Sequence, residues 1–141
     1  MKAHGTLIPT RFMCSISYLV AAIMVFSTMT ENVLASLPKT YATTQFDANS
    51  TSLLVALIIT CGCIGVNLLG FMSGFSMFIP AVNVIVIISH TLGCIYTCIF
   101  IMEGWHYLTA WYMLVFFAGP VALLEVCIIM ASFCLGGLNR V

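Results

Sequence analysis

The longest stretch of the chain without a charged residue runs from Ala48 to Met102. As one helix it would extend roughly 80 Å, more than twice the ~30 Å hydrocarbon core of a bilayer. It must therefore fold back on itself. Hydrophobic residues make up 62% of the chain and charged residues 6%, against about 25% charged in an ordinary soluble domain. The sequence thus indicates an integral membrane protein.

The point of reversal is predicted at 74–80, because Pro80 cannot donate to a helix and disfavours helical geometry in the residue before it. Gly119 and Pro120 should kink the last span without ending it, since neighbouring helices can satisfy a freed carbonyl. We therefore predict an all-α four-helix membrane bundle in one domain, residues 1–141. Its predicted spans are 12–30, 52–74, 81–102 and 108–135, with 31–51 as the outer loop.

The orientation of the bundle follows from its few basic residues. Lys2 and Arg11 precede the first span and Arg140 follows the last, which predicts that both termini lie in the cytoplasm. An outer interfacial belt is then expected from the aromatic residues Trp105, Tyr107, Trp111 and Tyr112. A cleavable signal peptide is the alternative reading of the first span, but its apolar run exceeds the 7 to 15 residues typical of such signals.

One carboxylate, Glu125, lies inside a span, about ten residues or roughly 15 Å from its cytoplasmic end. His90 and Asn67 are expected at a similar depth. Because unpaired polar groups are costly in hydrocarbon, we predict a structural polar layer of Asn67, His90 and Glu125. In it, Glu125 accepts from His90 or is protonated, the form we favour, and pairs with Asn67. In the alternative, each side chain bonds a neighbouring carbonyl or water.

Small residues are expected to mediate helix packing, since helices in lipid associate through close backbone approach. The candidates are Gly62, Gly65 and the pair Gly70 and Gly74, for which we favour contacts within the monomer. Asn49 begins a glycosylation pattern, although its nearness to the membrane disfavours use. Cys134 and Cys14 are candidate palmitoylation sites near the cytoplasmic interface, although packing is the preferred interpretation of the cysteines.

The sequence shows no signature of catalysis. It has no paired carboxylates, metal-ligand constellation, glycine-rich phosphate loop or nucleophile with a nearby base, and no basic patch for nucleic acid. We therefore predict a protein that is not an enzyme, with no catalytic, cofactor or metal site, no small-molecule substrate and no nucleic-acid partner. The alternative is a small ion- or proton-translocating protein that uses Glu125.

Several segments resemble, in order, the transmembrane protein 107 family: 7–12, Leu37-Pro38, 70–78, Ser89-His90, Trp111-Tyr112 and Glu125. This resemblance implies a four-span component of the transition zone at the base of the cilium. It further implies, as partners, membrane lipid and the membrane and peripheral proteins of the Meckel group. The expected role is to help recruit these proteins and to control ciliary membrane composition and cilium formation.

Overall fold

The structure, a computed structural model, describes the backbone of residues 2–138 and the side chains of residues 5–134. It contains α1 (Lys2–Ala35), α2 (Thr43–Met72), α3 (Pro80–Glu103) and a fourth span. That span consists of α4 (Leu108–Met113), a π-helical segment (Leu114–Ala118) and α5 (Gly119–Leu138). Within residues 2–138 there is no strand. All four spans are long and apolar enough to cross a membrane, which confirms the predicted all-α, four-helix class.

Short connections join consecutive spans, so neighbours in sequence run antiparallel. The first helix, α1, packs most extensively against α3 and next against α2, while α2 also packs against α5. The π-helical segment and α4 complete the ring by contacting both α2 and α3. The N-terminal part of α1, the α2–α3 turn and the end of α5 consequently lie at one end of the bundle.

The connection between α1 and α2 is shorter than the outer loop predicted for residues 31–51. In the structure α1 continues to Ala35 and α2 begins at Thr43, so that only residues 36–42 lie between them. Hydropathy reports which part of a helix is apolar, whereas the helix itself continues until a residue stops it. Here Pro38 follows the last turn of α1 and cannot extend its hydrogen bonds.

The reversal between α2 and α3 lies where the proline and glycine pattern places it. Pro80 is the first residue of α3, and the preceding Ile79 has extended geometry. Gly74 adopts a positive φ of 82°, which a residue without a Cβ accommodates best. The turn folds onto the bundle: Phe75 packs against Phe133 of α5 at 5.7 Å between ring centroids, and Ser76 is fully buried.

The fourth span continues through Gly119 and Pro120, as predicted, but its helix widens to the π form over the five preceding residues. A π-helical turn leaves backbone groups that need other partners. One such group is the carbonyl of Phe117, which accepts a hydrogen bond of 2.9 Å from the Ser89 hydroxyl on α3. A neighbouring helix thus supports the irregular segment.

The two ends of the bundle differ in the chemistry of their interior. Towards the α3–α4 connection the core is an apolar cluster that includes Val25, Leu53, Phe100 and Met113. The aromatic residues predicted to form a belt lie at this end, in the α3–α4 connection and α4. Towards the α2–α3 turn, most of the buried side chains between α1 and its neighbours are polar.

Candidate functional site

A buried ion pair joins the first span to the last. Arg11 of α1 donates from Nη2 to Oε2 of Glu125 on α5 at 2.9 Å, and both side chains are 0% exposed. A guanidinium is a partner that the predicted polar layer, with its preferred neutral Glu125, did not include. The sequence pattern places Arg11 ahead of the first span, whereas α1 begins at Lys2 and carries Arg11 into the bundle.

Two further side chains donate to the carboxylate of Glu125. Ser76, in the α2–α3 turn, donates from Oγ to Oε1 at 2.5 Å, and Asn67 of α2 donates from Nδ2 to Oε2 at 3.4 Å. Hydrogen bonds to a charged acceptor are stronger than those between neutral groups. The carboxylate thus ties α5 to α1, to α2 and to the turn that follows α2.

The guanidinium of Arg11 makes its own second set of contacts. Its Nη1 donates to Asn83 Oδ1 at 2.9 Å and, at 3.5 Å, to the carbonyl of Ser76. Asn83, near the start of α3, in turn donates to the carbonyl of Met77 at 2.8 Å. The guanidinium also lies over the ring of Phe71, 5.0 Å from its centroid, a favourable cation–π arrangement.

We call this group the clamp, and it comprises Arg11, Asn67, Ser76, Asn83 and Glu125. All five residues are fully buried, and together they come from every span and from the α2–α3 turn. The hydroxyl of Ser76 donates to a carboxylate that Arg11 also engages, and the two side chains are buried away from any substrate. Among residues 5–134 there is also no group of three or more His, Cys, Asp or Glu that could hold a metal ion. Its chemistry suits holding helices together.

The structure brings Asn67 and Glu125 of the predicted polar layer together but places His90 elsewhere. His90 Nδ1 pairs with the Ser15 hydroxyl at 2.9 Å, and its ring lies 5.5 Å from that of Tyr18. The physical reason is depth. Asn83 supplies the contact from α3 to the clamp, and His90 is seven residues, or roughly 10 Å, further along the same helix.

Sequence reasoning missed Arg11, Ser76 and Asn83 as members of the site. One signal was available for Arg11: a carboxylate inside a membrane needs a partner, and Arg11 directly precedes the first apolar run. Asn83 was also a polar residue close to the start of a predicted span. Ser76 carried no such signal, since a serine in a predicted turn is ordinary.

The four glycines predicted to mediate helix packing have three different settings. A Cβ at Gly70 would lie 2.6 Å from Cγ of Glu125 and closer still to its Oε1, so this glycine makes room for the clamp. At Gly62 and Gly65 a Cβ would meet no atom within 4 Å, and neither makes a close contact within the monomer. Gly74 lies beyond the end of α2, in the turn, where it cannot form a helix-packing pair with Gly70.

The three candidate modification sites are placed differently, and Cys14 of α1 is half-buried. Asn49 lies inside α2, in regular helix, rather than in the loop that the sequence suggested. Cys134 is exposed on α5, close to the end of the described chain. The side chains of Lys2 and Arg140, which contributed to the predicted orientation, are not among those described. The C-terminal residues 139–141 also lie outside the described part of the chain.

The ion pair should show strong coupling in stability measurements. Arg11→Met and Glu125→Leu are each expected to destabilise the bundle by about 3–5 kcal/mol, because each leaves an uncompensated buried charge. The double variant, which removes both charges, should be more stable than either single variant. These differences in the free energy of unfolding are measured in micelles or bilayers, with steric trapping as the method that detects unfolding. Glu103→Gln, at an exposed position at the end of α3, is the control and should match the wild type. Additive losses would contradict the clamp.

The glycine contacts give a second, independent test. Gly70→Ala should destabilise the bundle by about 1–3 kcal/mol or more, because the new methyl group overlaps Glu125. Gly65→Ala is the matched control on the same helix. It enters open space and should leave stability unchanged or raise it slightly, since alanine favours a helix over glycine. Equal effects of the two variants, by the same unfolding measurement, would rule out the close approach at Gly70.

Comparison with known proteins bears on the whole of this architecture. A family model for transmembrane protein 107, described as a transmembrane protein, matches residues 7–129. The chain is similar to Transmembrane protein 107 of Xenopus laevis, with 33% identity over 94% of this chain and 95% of the relative. It is also similar to Transmembrane protein 107 of Homo sapiens, with 34% identity over 90% and 91% respectively.

A third relative, Transmembrane protein 107 of Danio rerio, is 32% identical over 79% of this chain and 82% of its own length. No solved structure matches the chain. The match to the family model includes α2 and α3 in full, most of α1 and of the fourth span, and every residue of the clamp. The chain belongs to the transmembrane protein 107 family.

Proposed function

We propose that this protein is a non-enzymatic assembly component of the ciliary transition zone. In this role it helps recruit membrane and peripheral proteins of the Meckel group, and it thereby controls ciliary membrane composition and cilium formation. The sequence resemblance and family membership support the proposal. The structural observation that carries it is the burial of Glu125: this carboxylate of the fourth span is 0% exposed and is used in contacts between helices.

A protein of this kind would meet its partners and membrane lipid through its sides. The described spans present many exposed apolar side chains there, including Ile58, Leu69, Ile88 and Leu123. Small and apolar residues also line two shallow grooves, one between α2 and the fourth span and one between α1 and α3. Contacts within the membrane plane would therefore depend on shape and packing more than on charge.

The proposed orientation places both termini in the cytoplasm. Arg11 gives less support to this orientation than its sequence position suggests. The positive-inside tendency concerns basic residues in loops, whereas the guanidinium of Arg11 is paired inside the bundle. Lys2 and Arg140 remain as the basic residues on the side of the termini, and the positive-inside tendency supports the proposal through them.

The alternative function, ion or proton translocation through Glu125, has less support. A proton carrier must reach a pathway for its proton, whereas Glu125 is 0% exposed and its carboxylate accepts hydrogen bonds from Arg11, Asn67 and Ser76. The interior beyond the middle of the bundle is an apolar cluster that includes Leu57, Phe100 and Met113. The buried side chains of this cluster carry no charged group that could bind a moving ion.

The cellular role is tested by placing a tagged copy in ciliated cells that lack their own family member. The wild-type protein should concentrate at the ciliary base and restore Meckel-group proteins there, both measured by imaging against markers of that region. Gly65→Ala should behave like the wild type, and Gly70→Ala, which disturbs the clamp, should restore less. Diffuse plasma-membrane signal from the wild-type protein would contradict the proposal.

The alternative is tested with purified protein in liposomes. Proton conductance with the wild-type protein should equal that of empty liposomes and should not change in Glu125→Gln. Glu103→Gln is the control for loss of a carboxylate outside the bundle. A conductance that persists in Glu103→Gln but disappears in Glu125→Gln would favour translocation over assembly.

A further inference from the structure

A small enclosed cavity lies at the centre of the bundle, separate from the clamp. Its volume is about 10 Å³ and residues of all four spans line it, which is about the smallest space that holds one water molecule. Most of the lining is apolar, but three hydroxyl-bearing side chains contribute: Tyr18 of α1, Thr60 of α2 and Thr97 of α3. Each comes from a different helix.

Tyr18 supplies a donor that needs a partner. Its side chain is 1% exposed, and no atom within residues 5–134 makes a hydrogen bond with its hydroxyl. The far end of the ring is fixed in position by close packing on Gly93, where a Cβ would lie 2.7 Å from Cζ of Tyr18. A buried hydroxyl without a partner is unfavourable, and more so in a bundle surrounded by hydrocarbon.

The two threonines are acceptors at this site. Thr60 donates its own proton to the carbonyl of Ala56 at 2.8 Å, and Thr97 donates to the carbonyl of Gly93 at 2.7 Å. Thr97 Oγ1 also lies 3.7 Å from Sδ of Met113, a weak acceptor. Each hydroxyl proton is therefore engaged chiefly within its own helix, and the oxygen lone pairs remain available. The residues that line the cavity thus carry one hydroxyl without a partner, on Tyr18, and two whose oxygens can accept, on Thr60 and Thr97.

We infer that a single structural water binds in this cavity. It accepts a hydrogen bond from the Tyr18 hydroxyl and donates one to the hydroxyl oxygen of each threonine, Thr60 and Thr97. This arrangement uses the capacity of one water and satisfies the orphaned hydroxyl. The water ties α1, α2 and α3 together in the middle of the bundle, a place where the clamp does not reach.

Solid-state NMR of the full chain in lipid bilayers tests the inference on the unmodified protein. Magnetisation should pass from water to the side chains of Thr60 and Thr97, although both are buried. In Tyr18→Phe this transfer should be lost, because the site then lacks its donor. Thr51, at an exposed position and with the same type of bond to its own helix, is the control and should exchange with water in both proteins. Transfer that is absent from the wild type, or unchanged in Tyr18→Phe, would overturn the inference.

Coupling between the threonines gives a second readout. Thr60→Val and Thr97→Val each remove one acceptor while preserving shape, and a shared water makes their effects dependent on one another. Each single variant should raise the unfolding equilibrium constant. The increase in the double variant should be smaller than the product of the two single increases, by a factor of at least about three. Thr51→Val, combined with either, should be additive. Additivity of Thr60→Val with Thr97→Val would show that no water joins them.

Discussion

The ion pair between Arg11 and Glu125 is the contact on which the closed bundle depends. Its partners lie 114 positions apart in sequence, so it forms only when the first and last spans are together. A buried pair gains little net stability over well-packed apolar residues, since desolvation offsets much of the attraction. Its value lies in specificity. Leucine-rich helix faces are nearly equivalent in lipid, where no hydrophobic force selects among them, whereas one guanidinium and one carboxylate can pair in only one register.

The clamp is also the end of a longer polar seam between α1 and α3. On α1 the buried residues Arg11, Ser15 and Tyr18 follow helical spacing along one face, and on α3 Asn83, His90 and Thr97 recur every seventh residue. Residues at these intervals share a face. The two rows meet at the pair formed by Ser15 and His90. This seam gives a physical reason why α1 packs more extensively on α3 than on its sequence neighbour α2.

The number of spans and the positions at which they are interrupted could be predicted from the sequence, because a charged residue or a proline affects the helix in which it occurs. Pro80 had to open a helix, and Pro120 could be tolerated within one. The rotation of each helix about its own axis, which decides the face that it turns to its neighbours, could not be predicted. Gly62, Gly65 and Gly70 carry the same sequence signal, yet Gly70 lies about 80° and 140° around α2 from the other two, and it alone faces Glu125. The sequence predicts the depth of a residue only from the ends of the apolar runs. Because α1 begins before its apolar run, Arg11 lies inside the bundle rather than ahead of the first span.

The clamp also determines which substitutions can test partner recruitment without disturbing the fold. Because the charges of Arg11 and Glu125 are neutralised inside the bundle, a change at either residue alters assembly before it alters any surface. Loss of partner recruitment in such variants therefore reports on folding alone. Gly62 offers the opposite situation: it lines the groove between α2 and the fourth span, and a Cβ there meets no atom within 4 Å. An alanine at Gly62 therefore changes the lateral surface while the interior stays intact, so positions of this kind can separate recruitment from stability.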